Sequence, residues 1–180
     1  MPSQQYPVNG RIIHLRIEAK PKAINIIQDY FPTSDTDDDD IRHMYANVQD
    51  RIADCSKKEG LVVMGDFNAK IGEDTCRRAC GKLGLDELNY RGSPLLDWLE
   101  DNKLIAVNTC FRHRFSQKFT WTSRGDSYHN QIDYITMRRS EIHDRCAVLI
   151  AVATTRWFGH ALKEKAGLSR KRRMSERRDC

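Results

Sequence analysis

No stretch of this chain approaches the roughly 20 consecutive apolar residues that a membrane-crossing helix needs, so the sequence offers no bilayer span. No apolar leader is expected from the polar run Met1 to Arg11. The expected setting is therefore the cell interior, nucleus or cytoplasm, with the six cysteines as reduced thiols. Apolar residues are scarce at 39% of the 180, and charged residues abundant at 31%. That balance suits one domain whose core is smaller than the length suggests. No internal repeat is visible. A charge excess is also absent from most of the chain. The net +5 is supplied by Lys163 to Cys180, where eight Lys or Arg face three acids. This basic end, with Ser169-Arg170-Lys171-Arg172-Arg173, suits phosphate contacts or a nuclear address, and equally a solvated terminus. Two metal readings lack what they require. Cys76-x3-Cys80 with Cys110-x2-His113 has zinc-binding residue types without the spacing of a common knuckle. The aspartates of Asp35 to Asp40 lack the alternation, central Gly and closing Glu of a calcium loop.

The elements that remain follow from periodicity. Arg11 to Ile17 alternates, with Ile13, Leu15 and Ile17 on one face and His14 and Arg16 on the other, and Ala23 to Tyr30 forms a neighbouring strand that delivers Tyr30 at its end. The acidic run then opens a helix whose stripe is Ile41, Met44, Tyr45, Val48, Ile52 and Cys55, with Gly60 as its stop signal. Ile71 to Arg91 reads as a long surface loop with one short turn of helix. Ser93 as cap and Pro94 at the first helical position open a second helix through Leu95, Leu96, Trp98 and Leu99. Leu104 to Asn108, Phe119 to Ser123, Gln131 to Met137 and Cys146 to Ala153 are further strand candidates. Arg124-Gly125-Asp126 falls in a connection, where a hairpin turn accounts for it better than adhesion does. Helices alternating with strands define an α/β or α+β pattern. The boundaries expected are a polar arm over 1–10, a domain over 11–153 and an irregular basic tail over 154–180.

The most informative segment is Leu61-Val62-Val63-Met64-Gly65-Asp66-Phe67-Asn68-Ala69. It reads as a buried strand that ends by presenting a carboxylate and an amide on a rigid scaffold. In extended chain Asp66 and Asn68 point the same way. The carboxylate suits a divalent cation or the orientation of a water, and the amide can donate to a phosphate oxygen without adding negative charge.

Gly65-Asp66-Phe67-Asn68-Ala69 resembles the signature of the endonuclease/exonuclease/phosphatase superfamily, and further blocks follow in that family's order. Asp29-Tyr30-Phe31-Pro32-Thr33 is similar to its Tyr-x-Pro-Thr segment. Phe119-Thr120-Trp121-Thr122-Ser123 with Asn130-Gln131-Ile132-Asp133-Tyr134-Ile135 is similar to the strand pair of its retrotransposon-type endonucleases. Asn89-Tyr90-Arg91-Gly92, Leu95-Leu96-Asp97-Trp98-Leu99, Asn102-Lys103-Leu104 and Asn108-Thr109 match the same subgroup. The resemblance, over roughly Arg11 to Ile150, implies an incomplete four-layered αββα sandwich of mixed sheets. It also implies magnesium-dependent hydrolysis of a phosphodiester in DNA or another nucleic acid, with manganese as a substitute metal. Asp66 would orient the attacking water and bind the metal, Asn68 would contact a phosphate oxygen, and Tyr30 would place its hydroxyl near the phosphate. Asp133 would orient a histidine, and Trp121 and Asn130 would lie on the substrate side. Two family features are not found. The glutamate ligand belongs to an upstream half for which there is no room before Tyr30, so an N-terminally truncated domain is expected, which a completing protein segment would have to restore. The Ser-Asp-His tripeptide is missing, and His160, preceded by Gly159, is the candidate for its imidazole. The expectation is an endonuclease by ancestry with impaired activity. The alternative is an inactive transposon-derived remnant that binds nucleic acid through its basic tail.

Overall fold

A computed structural model describes residues 3–33, 35–75, 77–123, 125 and 127–142. In chain order the elements are β1 (Ser3–Asn9), β2 (Ile12–Ile17), β3 (Ile24–Tyr30), α1 (Asp38–Ala53), β4 (Gly60–Asp66), α2 (Gly92–Asp101), β5 (Leu104–Ala106), α3 (Phe115–Lys118), β6 (Trp121–Thr122), β7 (His129–Asn130) and β8 (Asp133–Arg138). Six strands form one mixed sheet in the order β1-β2-β3-β4-β8-β5, and β6 pairs with β7 in a separate hairpin. Only the β3–β4 pair is parallel, because α1 carries the chain back across the sheet between them; the other pairs are antiparallel. This is a mixed α/β fold and an incomplete form of the expected sandwich. Among the described residues no helix is long and apolar enough to cross a membrane.

Cross-strand partners share a face, so the register divides the sheet in two. One face collects Ile12, His14, Asn25, Ile27, Leu61, Val63, Tyr134, Thr136, Leu104 and Ala106, all buried. Met44 and Val48 of α1 and Leu95, Leu96 and Leu99 of α2 pack onto it in one cluster. An aromatic seam of Phe31, Tyr45, Phe67 and Trp98 joins the helices to the sheet, with Phe31 4.7 Å from Tyr45 and 5.1 Å from Phe67. The opposite face carries Ile24, Ile26, Val62, Met64, Ile135, Met137 and Ile105, forming a smaller cluster with Val107 and Ile142. No residue of α1, α2 or α3 belongs to that cluster.

Several expectations need correction. Alternation in β2 is present, but its burial is inverted: Ile12 and His14 lie under the helices, while Ile13 is 43% exposed. His14 is tolerated inside because its Nε2 sits 3.0 Å from Asn25 Oδ1, and Asn25 in turn donates to Glu59, which pairs with Arg16 at 2.6 Å. Residues 1–10, expected as an arm, contribute β1, a strand paired along β2. Gly60 does not stop α1, which ends at Ala53 with Asp54 as its C-cap; Gly60 opens β4 and donates to Ala23 O at 2.8 Å. The α2 cap is not Ser93. Arg91 holds the N-cap position without a capping side chain, and Asn89 Oδ1 accepts from Gly92 N–H at 2.8 Å. The expected strand through Asn108 is cut to Leu104–Ala106 because a 3-10 turn, Val107–Thr109, takes over. The loop from Ile71 to Arg91 is not wholly superficial: Ile71, Ala79, Cys80 and Leu85 are buried, and Cys80 bridges to Ala106. By contrast, the acidic run behaves as expected, with Asp38, Asp39 and Asp40 in the first turn of α1 and Asp37 capping Asp39 N–H. The strand expected over Cys146 to Ala153, His160 and the tail over 154–180 lie outside the described residues.

Candidate active site

The ends of β3, β4 and β8 bring three of the expected residues into one row. Tyr30 pairs with Asp66, and Asp66 pairs with Asp133, so all three stand on the face away from the helices at the same edge of the sheet. Backbone bonds lock the row: Phe31 N–H donates to Asp66 O at 2.7 Å and Phe67 N–H to Ile132 O at 2.9 Å. Phe67 points the other way, stacked on Phe31 in the core, which is how an apolar residue between two polar ones anchors the turn.

Gly65 is required by close approach. A Cβ there would lie 1.9 Å from Asp29 O and 2.4 Å from Asp29 Oδ1, distances that no real side chain occupies. Strand β3 therefore presses against β4 at the residue before Asp66.

Asp66 is half-buried. Loss of hydration pushes its carboxyl up to about 6, opposed by the Asn68 N–H that donates to Oδ1 at 2.9 Å. Asp133 is pushed up to about 7, first by burial and then by the neighbouring charge of Asp66, and its buried Oδ1 has no hydrogen-bond partner. Its backbone is fixed on both sides, since Thr120 Oγ1 accepts from the N–H groups of Ile132 and Asp133 at 3.1 Å each and Asn108 Nδ2 donates to Asp133 O at 3.1 Å.

Asn68 departs from the expected extended geometry. Its φ of 48° lies in the left-handed region, so its side chain does not run parallel to that of Asp66. Nδ2 donates to Phe31 O at 2.8 Å, tying the β4 turn to the β3 turn. Tyr30 is 42% exposed and presents its ring at the edge of the row. Trp121 is 43% exposed. It pairs with Asn130 across the hairpin, and Asn130 Oδ1 accepts from Lys70 Nζ at 3.5 Å.

Sequence reasoning missed four residues. Asp29 is buried on the helix side of β3 with neither carboxylate oxygen bonded, and burial, followed by the charges of Asp66 and Asp133, raises it well above the usual carboxylate range. The alternation of β3 held the signal, since Asp29 follows Asn25 and Ile27 onto the buried face. Arg11 donates from Nη1 to Tyr30 O at 3.3 Å, with its guanidinium carbon 5.4 Å from the Tyr30 ring centre. Thr120 and Asn108 bond to the backbone at β8, and nothing in their spacing advertised it.

For a magnesium ion, Asp66 supplies the right donor type. Its Oδ1 is engaged by Asn68 N–H, and the unpartnered Asp133 Oδ1 is a second hard oxygen on the next strand. Magnesium keeps several waters and accepts one or two carboxylates, so the pair fits as part of a coordination shell. A complete cage is not formed: no group of three His, Cys, Asp or Glu able to hold a metal occurs among the described residues.

The family model described as Endonuclease/Exonuclease/phosphatase family matches residues 2–161. The chain belongs to that family. It is 33% identical over 131 residues to craniofacial development protein 2 of Bos taurus, covering 73% of this chain and 22% of that protein. The counterpart in Tragulus javanicus is likewise 33% identical over 131 residues, 73% of this chain and 23% of the relative. The chain thus spans less than a quarter of the curated relatives it matches. Among solved structures, the endonuclease domain of TRAS1, a telomere-specific non-LTR retrotransposon, aligns with a TM-score of 0.56 at 19% identity, over 78% of this chain and 57% of that one. The 3' phosphatase NExo from Neisseria, bound to product DNA hairpin, aligns with a TM-score of 0.50 at 13% identity, over 78% of this chain and 59% of that one. These structures share the fold. Enzymes of the family generally use divalent metals.

Proposed function

We propose that this chain derives from a magnesium-dependent DNA endonuclease and retains the water-orienting side of its site. The observation that carries the reading is the Tyr30, Asp66, Asp133 row on three adjacent strands, with both carboxyls raised by burial. In this reading Asp66 accepts a hydrogen bond from the attacking water and takes its proton, a role suited to a carboxyl near 6. Magnesium, held by Asp66, would supply charge stabilisation as phosphorus is attacked. Tyr30 sets its hydroxyl against the phosphate. Asn68 keeps the turn closed through Phe31 O and offers its second amide hydrogen to a phosphate oxygen. Asp133 stands ready to orient a partner, and His160 is the residue proposed for that place. Trp121 and Asn130 flank the substrate path. The similarity to the TRAS1 endonuclease domain and to a phosphatase bound to DNA supports nucleic acid as the substrate class.

A second reading has its own observation. The sequence carries no Ser-Asp-His tripeptide, and in this reading the chain by itself binds nucleic acid without cutting it, with Lys163 to Cys180 supplying phosphate contacts. Loss of a single transition-state donor commonly costs about 10²-fold or more in rate, so incomplete ligation favours weak activity at most. Nicking of supercoiled plasmid separates the two. Magnesium-dependent nicking abolished by EDTA and by Asp66→Ala is the result expected of the first reading. A folded chain that binds DNA and never nicks it establishes the second.

A further inference from the structure

Resting on the reading of a phosphodiester substrate, the geometry points to Arg11 as a phosphate-binding residue that flanks Tyr30 at the edge of the site. We propose that its guanidinium, laid over the Tyr30 ring, contacts the phosphate next to the one facing Asp66.

Position is the first argument. Arg11 lies in the turn between β1 and β2, one residue ahead of Ile12, and Ile12 pairs with Asp29. The β2–β3 pairing is therefore closed by Arg11 itself: Tyr30 N–H donates to Arg11 O at 3.0 Å, and Arg11 Nη1 returns a bond to Tyr30 O at 3.3 Å. This two-way bond fixes the arginine at the same edge as the row Tyr30, Asp66, Asp133. Neighbouring strands are spaced by about 4.8 Å, so the β2 edge stands roughly 10 Å from β4. An extended arginine side chain that leans over β3 reaches a phosphate adjacent to one at Asp66.

Charge is the second argument. The row holds Asp66 and Asp133, and an anionic backbone approaching it meets carboxyl groups on two adjacent strands. Lys70, beyond β4, is already directed at Asp86 Oδ2 at 3.7 Å and Asn130 at 3.5 Å. Arg11 places a cation on the other side of the row, at Tyr30. A guanidinium is suited to this place because it is planar, weakly hydrated and able to stack on a ring while its edge donors address a phosphate. At 5.4 Å from the ring centre, the stack also limits the rotamers of both side chains, so the donors are ordered before substrate arrives.

The test uses the full chain and a fluorescein-labelled DNA duplex, with binding followed by anisotropy in EDTA from 50 to 300 mM salt. Arg11→Ala is expected to weaken binding about five- to tenfold at the lowest salt and to reduce the slope of log K against log salt by about one. Arg11→Lys is expected to keep the slope while losing part of the affinity, because charge survives and the planar fork does not. An Arg11→Ala variant with parental affinity and slope overturns the inference, as does one whose melting temperature falls while its slope stays the same, since that is a structural role only. A parental chain that fails to bind DNA at all overturns this inference and the substrate class together. A chain that binds with the Arg11 dependence and never nicks overturns only the catalytic reading.

Discussion

The two faces of the large sheet obey different rules. Under the helices, apolar side chains are fully buried and the polar group His14 is matched to Asn25 and through it to Glu59. On the opposite face Ile13 is 43% exposed, Tyr30 opens to solvent, and Asp133 keeps a buried Oδ1 without a hydrogen-bond partner. The covered face holds the fold together, and the other carries groups whose cost the fold tolerates. Asp29 is the exception, an unbonded carboxyl on the covered side directly behind the site.

The contrast is open to direct attack. Gly65→Val should be the most damaging change, since its first carbon alone would overlap Asp29 O; a loss above about 4 kcal/mol is expected in urea unfolding, and a mild effect would show that β3 can move. Leu99→Ala, at a wholly buried position, should cost about 2–5 kcal/mol. Ile13→Ala, at the half-open β2 position, should cost less than about 1 kcal/mol in the same assay. Equal losses for these two would dissolve the distinction between the faces.

The pH dependence sharpens it further. Asp66 and Asp133, raised to about 6 and about 7, bind protons more tightly folded than unfolded. Stability from this source is fully present below about pH 4, the ordinary carboxyl range, and is lost as pH rises through those two values. Asp29, raised well above that range, adds a loss extending to higher pH. Thermal melts from pH 4 to 8 should therefore fall toward neutrality, and Asp29→Val should stabilise the chain at pH 8 by about 1–3 kcal/mol while leaving pH 4 nearly unchanged. A melting temperature that climbs from pH 4 to 8 would contradict the burial of these carboxyls. The smallest effect is reserved for Trp121→Ala: with the ring 43% exposed, stability should change by less than about 1 kcal/mol, so any larger change in DNA binding reports contact with substrate.

How much of this was legible in the sequence depended on the range of the interaction. The β4 segment announced itself because an apolar run closed by Gly-Asp is a local pattern, and Tyr30 and Asp133 followed from ordered blocks of the same family. The stripe of α1 needed only its own periodicity. Asn68 was placed wrongly because its left-handed backbone is set by bonds to Asp66 and Phe31. The faces of β2 were misjudged because hydrophobicity alone cannot tell which side a helix will cover when a histidine finds a buried partner 11 residues away. Arg11 escaped notice for the same reason: its role exists only once β2 lies beside β3.

The parallel pairing of β3 with β4 also sets the order in which this site can be assembled. A ribosome delivers Tyr30 first, then Asp66 after the α1 crossover, and Asp133 only after α2, β5 and the hairpin have emerged. At about 5–20 residues per second, β4 spends several seconds with one edge unpaired, and that edge bears Leu61, Val62 and Val63. Whatever protects nascent chains from mispairing would have its longest task here, on the strand that will carry Asp66.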